Sequence, residues 1–240
     1  GLHMNVQGAA LATVIAEYAT LLIGLMMVRK VLHMRGISLA MLKQAWRGNF
    51  RRLLALNRDI MLRSLLLQLC FGAITVLGAR LGGDIIAVNA VLMTLLTFTA
   101  YALDGFAYAV EAHSGHAYGA RDGSQLLDVW RAACRQSGIV AILFSLVYAL
   151  FGEHIVALLT SLPQIQLLAD RYLFWQVVLP LVGVWCYLLD GMFIGATRAA
   201  EMRNSMAVAA TGFALTLLTL PWLGNHGLWL ALTVFLALRG

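Results

Sequence analysis

Charge is scarce in this sequence. Asp, Glu, Lys and Arg make up 12% of its 240 residues, against roughly 25% in an ordinary soluble domain. So little charge cannot cover a water-facing surface, which argues against a soluble globular protein. Cysteine is sparse as well. Cys70, Cys134 and Cys186 are odd in number and none has metal-ligand spacing, so neither a disulfide nor a zinc site is expected. His-Glu-x-x-His, Gly-x-Ser-x-Gly and a phosphate-binding glycine loop are all missing, and the chain reads as a non-enzyme without a cofactor. Residues 1–28 lack the basic, apolar and small-residue succession of a signal peptide. The basic residues, which bring the net charge to +6, lie beside apolar runs without any nucleic-acid motif, so nucleic acid is not an expected partner. Short alternating segments are absent too, which excludes a membrane barrel.

What the sequence does have is apolar residues, 61% of the total, in long blocks rich in Leu, Ala and Val. Several blocks exceed the ~18 residues that a helix needs to cross a hydrocarbon core. The expected fold is therefore an all-α integral membrane protein with the lipid bilayer as its surroundings. Seven spans are predicted, at about 6–28, 56–79, 85–112, 133–151, 168–194, 205–223 and 226–240. The last is short. It stops at Arg239-Gly240 while the chain opens at Gly1, and together these predict a piece of a longer protein. If the first span runs from outside to inside, the inner segments hold 15 of the 17 Lys and Arg residues. Only Arg80 and Arg171 lie outside, as the positive-inside rule requires.

The connection at 29–57 is long and basic. In it Leu39, Leu42, Trp46, Phe50 and Leu53 recur at helical steps, with Lys43, Arg47, Arg51 and Arg52 largely between them. Ser38 is placed to cap the start. The pattern predicts a basic amphipathic helix, lying on the inner leaflet or packed on the protein's own inner face. It divides the chain into 1–28, the last helix of a preceding lobe; 29–57, a linker; and 58–240, a six-helix lobe.

Ionisable residues inside spans are the exceptions that point to a site, because a mid-bilayer carboxylate costs roughly 2.5–3.5 kcal/mol on insertion scales. In the third span Thr97, Tyr101, Asp104, Tyr108, Glu111 and Gly115 follow one another at steps of four and three, on one helical face. The fifth span repeats the device with Gln176, Pro180, Gly183, Tyr187 and Asp190. Pro180 and Gly183 predict a helix break or bend there. Tyr101-Ala102-Leu103-Asp104-Gly105 and Tyr187-Leu188-Leu189-Asp190-Gly191 share the pattern Tyr-x-Leu-Asp-Gly. Facing each other, the two stripes would line an acidic, aromatic chamber suited to an organic cation. Loading the carboxylates with protons or sodium would then release the cargo.

Other roles are open to these residues. Asp104 or Asp190 could pair with a buried donor and only fix helix packing. Glu111 could bridge to Arg121. Gln68 and Asn89 suit interhelical hydrogen bonds. Arg63 and Arg80 suit snorkelling to the inner and outer headgroups. Glu17 suits helix packing. His113 and His116 stand three apart, but a solvated helix end accounts for them better than a metal site.

The stretch Asp104-Gly105-Phe106-Ala107 through Glu111-Ala112, then Ala117-Tyr118-Gly119-Ala120-Arg121-Asp122, resembles the multidrug and toxic compound extrusion (MATE) family. Val6-Gln7-Gly8-Ala9-Ala10-Leu11 looks like that family's sixth helix. Arg58-Asp59-Ile60-Met61-Leu62-Arg63 and the run from Tyr187 to Arg198 are similar to its DinF-type branch. The resemblance implies two six-helix lobes in a bacterial inner membrane. It implies efflux of hydrophobic, often cationic compounds by antiport with protons or sodium. This chain would supply helices six to twelve, the twelfth truncated, and would need the missing N-terminal lobe as a partner. The family's coupling carboxylate in the first helix falls outside the chain, and His116 stands where the branch more usually has Gln. A lipid-linked precursor flippase of the same superfamily is the alternative transporter; it would call for a strongly cationic cavity. An intramembrane enzyme would call for a nucleophile–base pair or metal ligands, which the sequence does not supply.

Overall fold

The computed structural model describes residues 5–34, 36 and 50–240. Most of the segment expected to form the basic amphipathic helix, 37–49, lies outside the described residues. The chain divides into two compact units, Gly1–Leu53 and Leu54–Gly240. In the first, α1 (Asn5–Met34) runs for 30 residues, roughly 45 Å at the α-helical rise.

The second unit is built entirely from helices among the described residues. They are α2 (Phe50–Leu81, entering from the first unit), α3 (Gly83–Ala120), α4 (Gly123–Leu159), α5 (Pro163–Asp170), α6 (Leu173–Gly195), α7 (Ala199–Thr216), α8 (Leu220–Leu223) and α9 (Asn225–Arg239). A single 3-10 turn, Leu217–Thr219, joins α7 to α8. Among the described residues, six stretches are long and apolar enough to cross a bilayer: Ala10–Met34, Leu53–Leu81, Gly83–Ala120, Gly123–Leu159, Leu173–Gly195 and Ala199–Leu223. At 15 residues α9 falls short of the ~20 needed. The chain is an all-α, multi-pass membrane protein.

Two helices overrun the expected spans. α3 has 38 residues and α4 has 37, so each is roughly 56 Å long against a hydrocarbon core of about 30 Å. The polar stretch between the spans at 85–112 and 133–151 is therefore mostly helix rather than loop. Only Arg121 and Asp122 turn the chain. Arg121 takes the left-handed conformation, φ 57°, and the Asp122 amide donates back to the Ala117 carbonyl at 3.0 Å. The Asp122 carboxylate then accepts from the amides of Ser124 and Gln125, both at 3.0 Å, capping α4. The Gln125 amide contributes most to holding this carboxyl below its usual range.

The core of the second unit is gathered around α9. Trp229, Leu232 and Phe235 of α9 are fully buried against a cluster that includes Val88, Leu92 and Leu95 of α3 and Met206 and Phe213 of α7. Its polar members are satisfied in place. Asn89 and Asn225 exchange side-chain amide bonds of 2.8 and 2.9 Å, and the Trp229 indole donates to Asn89 at 3.0 Å. Asn89 is thus an interhelical hydrogen-bonder, whereas Gln68 is exposed. Of the break or bend expected at Pro180 and Gly183, a break does not interrupt the helix: α6 is continuous from Leu173 to Gly195 with Pro180 inside it. Proline frees carbonyls in the preceding turn. One of that turn's carbonyls, Val177, accepts the Ser145 hydroxyl of α4 at 2.5 Å.

Outside this core Leu158, Leu167, Phe174 and Trp222 are exposed. Apolar exposure on that scale is a liability in water and the ordinary surface of a protein in acyl chains.

Candidate functional site

The crossing of α3 and α6 brings the two Tyr-x-Leu-Asp-Gly stretches together. Gly191 and Gly195 of α6, four apart, lie against Ala107, Glu111, Ser114 and Gly115 of α3. A methyl on Gly191 would collide with the Ala107 carbonyl, and one on Gly195 with Ser114 Oγ and the Glu111 carbonyl. One on Gly115 would stand 3.1 Å from the Gly195 carbonyl oxygen. Small residues at this spacing let two membrane helices touch through their backbones. Asp104 lies one turn from Ala107 and Asp190 lies beside Gly191, so the close approach sets both carboxylates on one cavity.

That cavity has a volume of about 350 Å³ and lies between α2, α3, α6 and α9. Asp104, Tyr108 and Glu111 line it from α3, Tyr187 and Asp190 from α6, Arg63 from α2 and Arg239 from α9. The rest of the wall is mostly apolar, with Leu67, Phe71, Leu96 and Leu236 among the lining residues. The other residues of the predicted stripes lie elsewhere. Tyr101 is 72% exposed and is not part of the wall. Gln176 is buried deeper in α6, its Nε2 without an acceptor. Pro180 and Gly183 are buried in α6 and likewise do not line the cavity.

The carboxylates differ in company. Asp190 is held by two guanidinium groups: Nη2 of Arg63 and Nη2 of Arg239 both donate to its Oδ2. Arg63 therefore does not snorkel to the inner headgroups; burial against α6 and the Asp190 charge turn it inward, leaving its side chain 13% exposed. Arg239 is 8% exposed and lies over the Tyr187 ring, 5.9 Å from its centroid. Asp104, by contrast, has no hydrogen-bond or ion-pair partner among the described residues, although Arg63, Arg239 and Asp190 are within electrostatic reach. Glu111 is half-buried and forms no bridge to Arg121. His113 and His116 are exposed, and no three metal-ligating side chains group together among the described residues.

Sequence reasoning missed the two arginines. For Arg63 a signal existed: Asp59, Arg63, Cys70 and Ile74 recur at steps of four and seven, on the face of α2 that the structure buries. Asp59 is itself buried and paired with Arg203 of α7 at 2.8 Å, so that face carries a second interhelical ion pair. For Arg239, at the end of the chain, the sequence offered no comparable pattern.

Comparison with known proteins agrees with this architecture. The MatE family profile matches residues 60–223. The chain is 91% identical over all 240 residues to DNA damage-inducible protein F of Escherichia coli (strain K12), covering 52% of that protein. It is 24% identical over 240 aligned residues to Protein DETOXIFICATION 43 of Arabidopsis thaliana, covering 99% of this chain and 44% of that protein. The chain thus spans about half the length of these relatives. It belongs to the MatE family, whose members are transporters and not enzymes.

Proposed function

We propose that the chain forms one lobe of an exporter for hydrophobic, often cationic compounds, driven by exchange with protons or sodium across a bacterial inner membrane. The observation that carries this reading is Asp104, a carboxylate on the wall of a membrane cavity with no partner of its own among the described residues. An ionised carboxylate in that position is costly until something neutralises it. A proton, a sodium ion or the cationic group of a ligand can each do so, and they compete. Loading the coupling ion therefore expels a bound cation, which is the physical content of antiport. Tyr108 and Tyr187 offer ring faces to the same ligand. Asp190, already compensated by two guanidinium groups, has less to gain from a further cation and acts chiefly as their anchor.

The same reading assigns 1–28 to the last helix of a preceding lobe, 29–57 to a cytoplasmic linker and 58–240 to the second lobe. The name of the Arabidopsis relative, a detoxification protein, fits export. The test is efflux of a fluorescent organic cation from vesicles holding the full-length protein, under an imposed pH or sodium gradient. Asp104→Asn should lower gradient-driven efflux about tenfold or more, given the few kcal/mol at stake in neutralising the group. Efflux by Asp104→Asn that keeps the wild-type rate and gradient dependence would remove Asp104 from the exchange.

A further inference from the structure

The two arginines give the cavity a feature that a site for cations alone does not need. Two guanidinium groups offer ten N–H donors between them. Both reach the same acceptor, Oδ2 of Asp190. Nε of Arg63 and Nε of Arg239 are buried with no acceptor at all. Asp104 and Glu111 share the cavity yet form no ion pair with either arginine. At Asp190, then, two guanidinium groups share one acceptor oxygen, and donors outnumber the oxygens that satisfy them. A buried charge or donor left in that condition costs free energy that a suitable ligand group recovers.

We propose that Arg63 and Arg239 form an anion-recognising subsite that takes the carboxylate of an amphiphilic ligand. The proposal rests on the reading of this cavity as the ligand chamber. Planar guanidinium forks match a carboxylate in geometry, two parallel N–H donors to two oxygens. Tyr187 beneath Arg239 steadies one of the forks. The charge around the subsite selects the anion. Asp104, Glu111 and Asp190 line the same cavity, so a dianionic phosphate adds two negative charges beside three carboxylates where a carboxylate adds only one. Leu67, Phe71, Leu96 and Leu236 accept the apolar body of the ligand. A cationic group on the same molecule falls to Asp104 and Glu111, which makes a zwitterion with a large apolar body the best-matched cargo. Asp190 then plays a second part: it is the acceptor with which the incoming carboxylate competes.

The experiment compares two xanthene dyes that differ only in a free carboxylate or its methyl ester. Their binding to the purified full-length protein is read by fluorescence anisotropy. Wild type should bind the free acid about tenfold more tightly than the ester, the usual worth of charge-assisted hydrogen bonds. Arg239→Gln and Arg63→Gln should each erase that preference, the free acid losing about tenfold more affinity than the ester. Arg239→Lys, which keeps the charge without the fork, should retain part of it. Asp190→Asn removes the competing acceptor and should tighten the free acid several-fold with no gain for the ester. A role for the triad in packing alone predicts the opposite, loss of both dyes together. Equal affinity for the two dyes in wild type, or parallel loss of both in the arginine variants, overturns the subsite and leaves the chamber standing. Failure of both dyes to bind wild type overturns the chamber along with it.

Discussion

Asp104 and Asp190 occupy matching places in two echoing pentapeptides, yet their surroundings give them different work. Asp190 sits at the junction of α2, α6 and α9, with one oxygen shared by Arg63 and Arg239. Removing its charge strands two buried guanidinium groups. Stranding a buried partner costs on the order of 3–5 kcal/mol. Asp104 strands nothing, because it has no partner among the described residues. Asp190→Asn should accordingly lower the thermal midpoint of the detergent-solubilised protein by several degrees, and Asp104→Asn should leave it close to wild type. The measurement is a thermal unfolding curve without added ligand. Comparable losses in the two variants would show that Asp104 is as deeply built into the packing as Asp190.

At the scale of elements, the site depends on how closely α3 and α6 approach. Gly191 touches the backbone of Ala107, and Gly195 that of Glu111. No flexible side chain can yield there, because the nearest atoms at Gly191 are backbone. Gly191→Ala must push the helices apart, at a cost of about 1–3 kcal/mol for overpacking. It should also separate Asp104 from the Arg63–Asp190–Arg239 group, so cation efflux should fall even in protein that remains folded. Gly105→Ala is the control, since nothing lies within 4 Å of a methyl there. Equal behaviour of the two alanine variants would mean that the close crossing is not what assembles the site.

Much of this was legible before the structure. The repeated steps of three and four placed Asp104, Tyr108 and Glu111 on one face of α3, because helix periodicity is a local property. The same rule failed at Tyr101 and Gln176. A stripe at 3.5-residue steps drifts around a 3.6-residue helix, and which part of it meets a neighbour depends on the crossing point. Ends of helices were also misplaced. Hydropathy locates the apolar middle of α3 and α4, but their polar ends stay helical because Arg121 and Asp122 provide a two-residue turn with its own caps. Arg63 was read as a membrane-edge residue because its partner is 127 positions away in the chain, beyond any local pattern. Pro180 loosens the turn before it, yet the helix runs through it unbroken. Packing against α4 holds the helix together, with Ser145 bonded to the loosened turn.

For the whole molecule the remaining expectation is orientation. Arg63 and Arg239 face a cavity rather than a headgroup layer, so they carry no information about sidedness. The bias of the other basic residues persists without them, because only Arg80 and Arg171 oppose it. The positive-inside rule weighs residues in short loops and near helix ends, and Arg121, Arg198 and Arg203 qualify. The α2–α3 turn should then face the outside and the α3–α4 turn the cytoplasm. Native cysteines interfere little with a test, since Cys70 and Cys186 are buried and Cys134 is partly so, but all three are best replaced by serine or alanine. Into that background go Arg80→Cys, at the end of α2 just before α3, and Ser124→Cys, at the start of α4 just after it, in the full-length protein. A membrane-impermeant maleimide applied to intact spheroplasts should label the first within minutes. It should reach the second only after the membrane is opened. α3 is long enough, at 38 residues, to carry both turns clear of the hydrocarbon, so poor access to either would not come from burial in lipid. The reverse pattern would invert the transporter and assign the Arg58, Asp59 and Arg203 cluster to the outer face. Labelling of both sites before permeabilisation would mean that α3 does not cross the membrane at all.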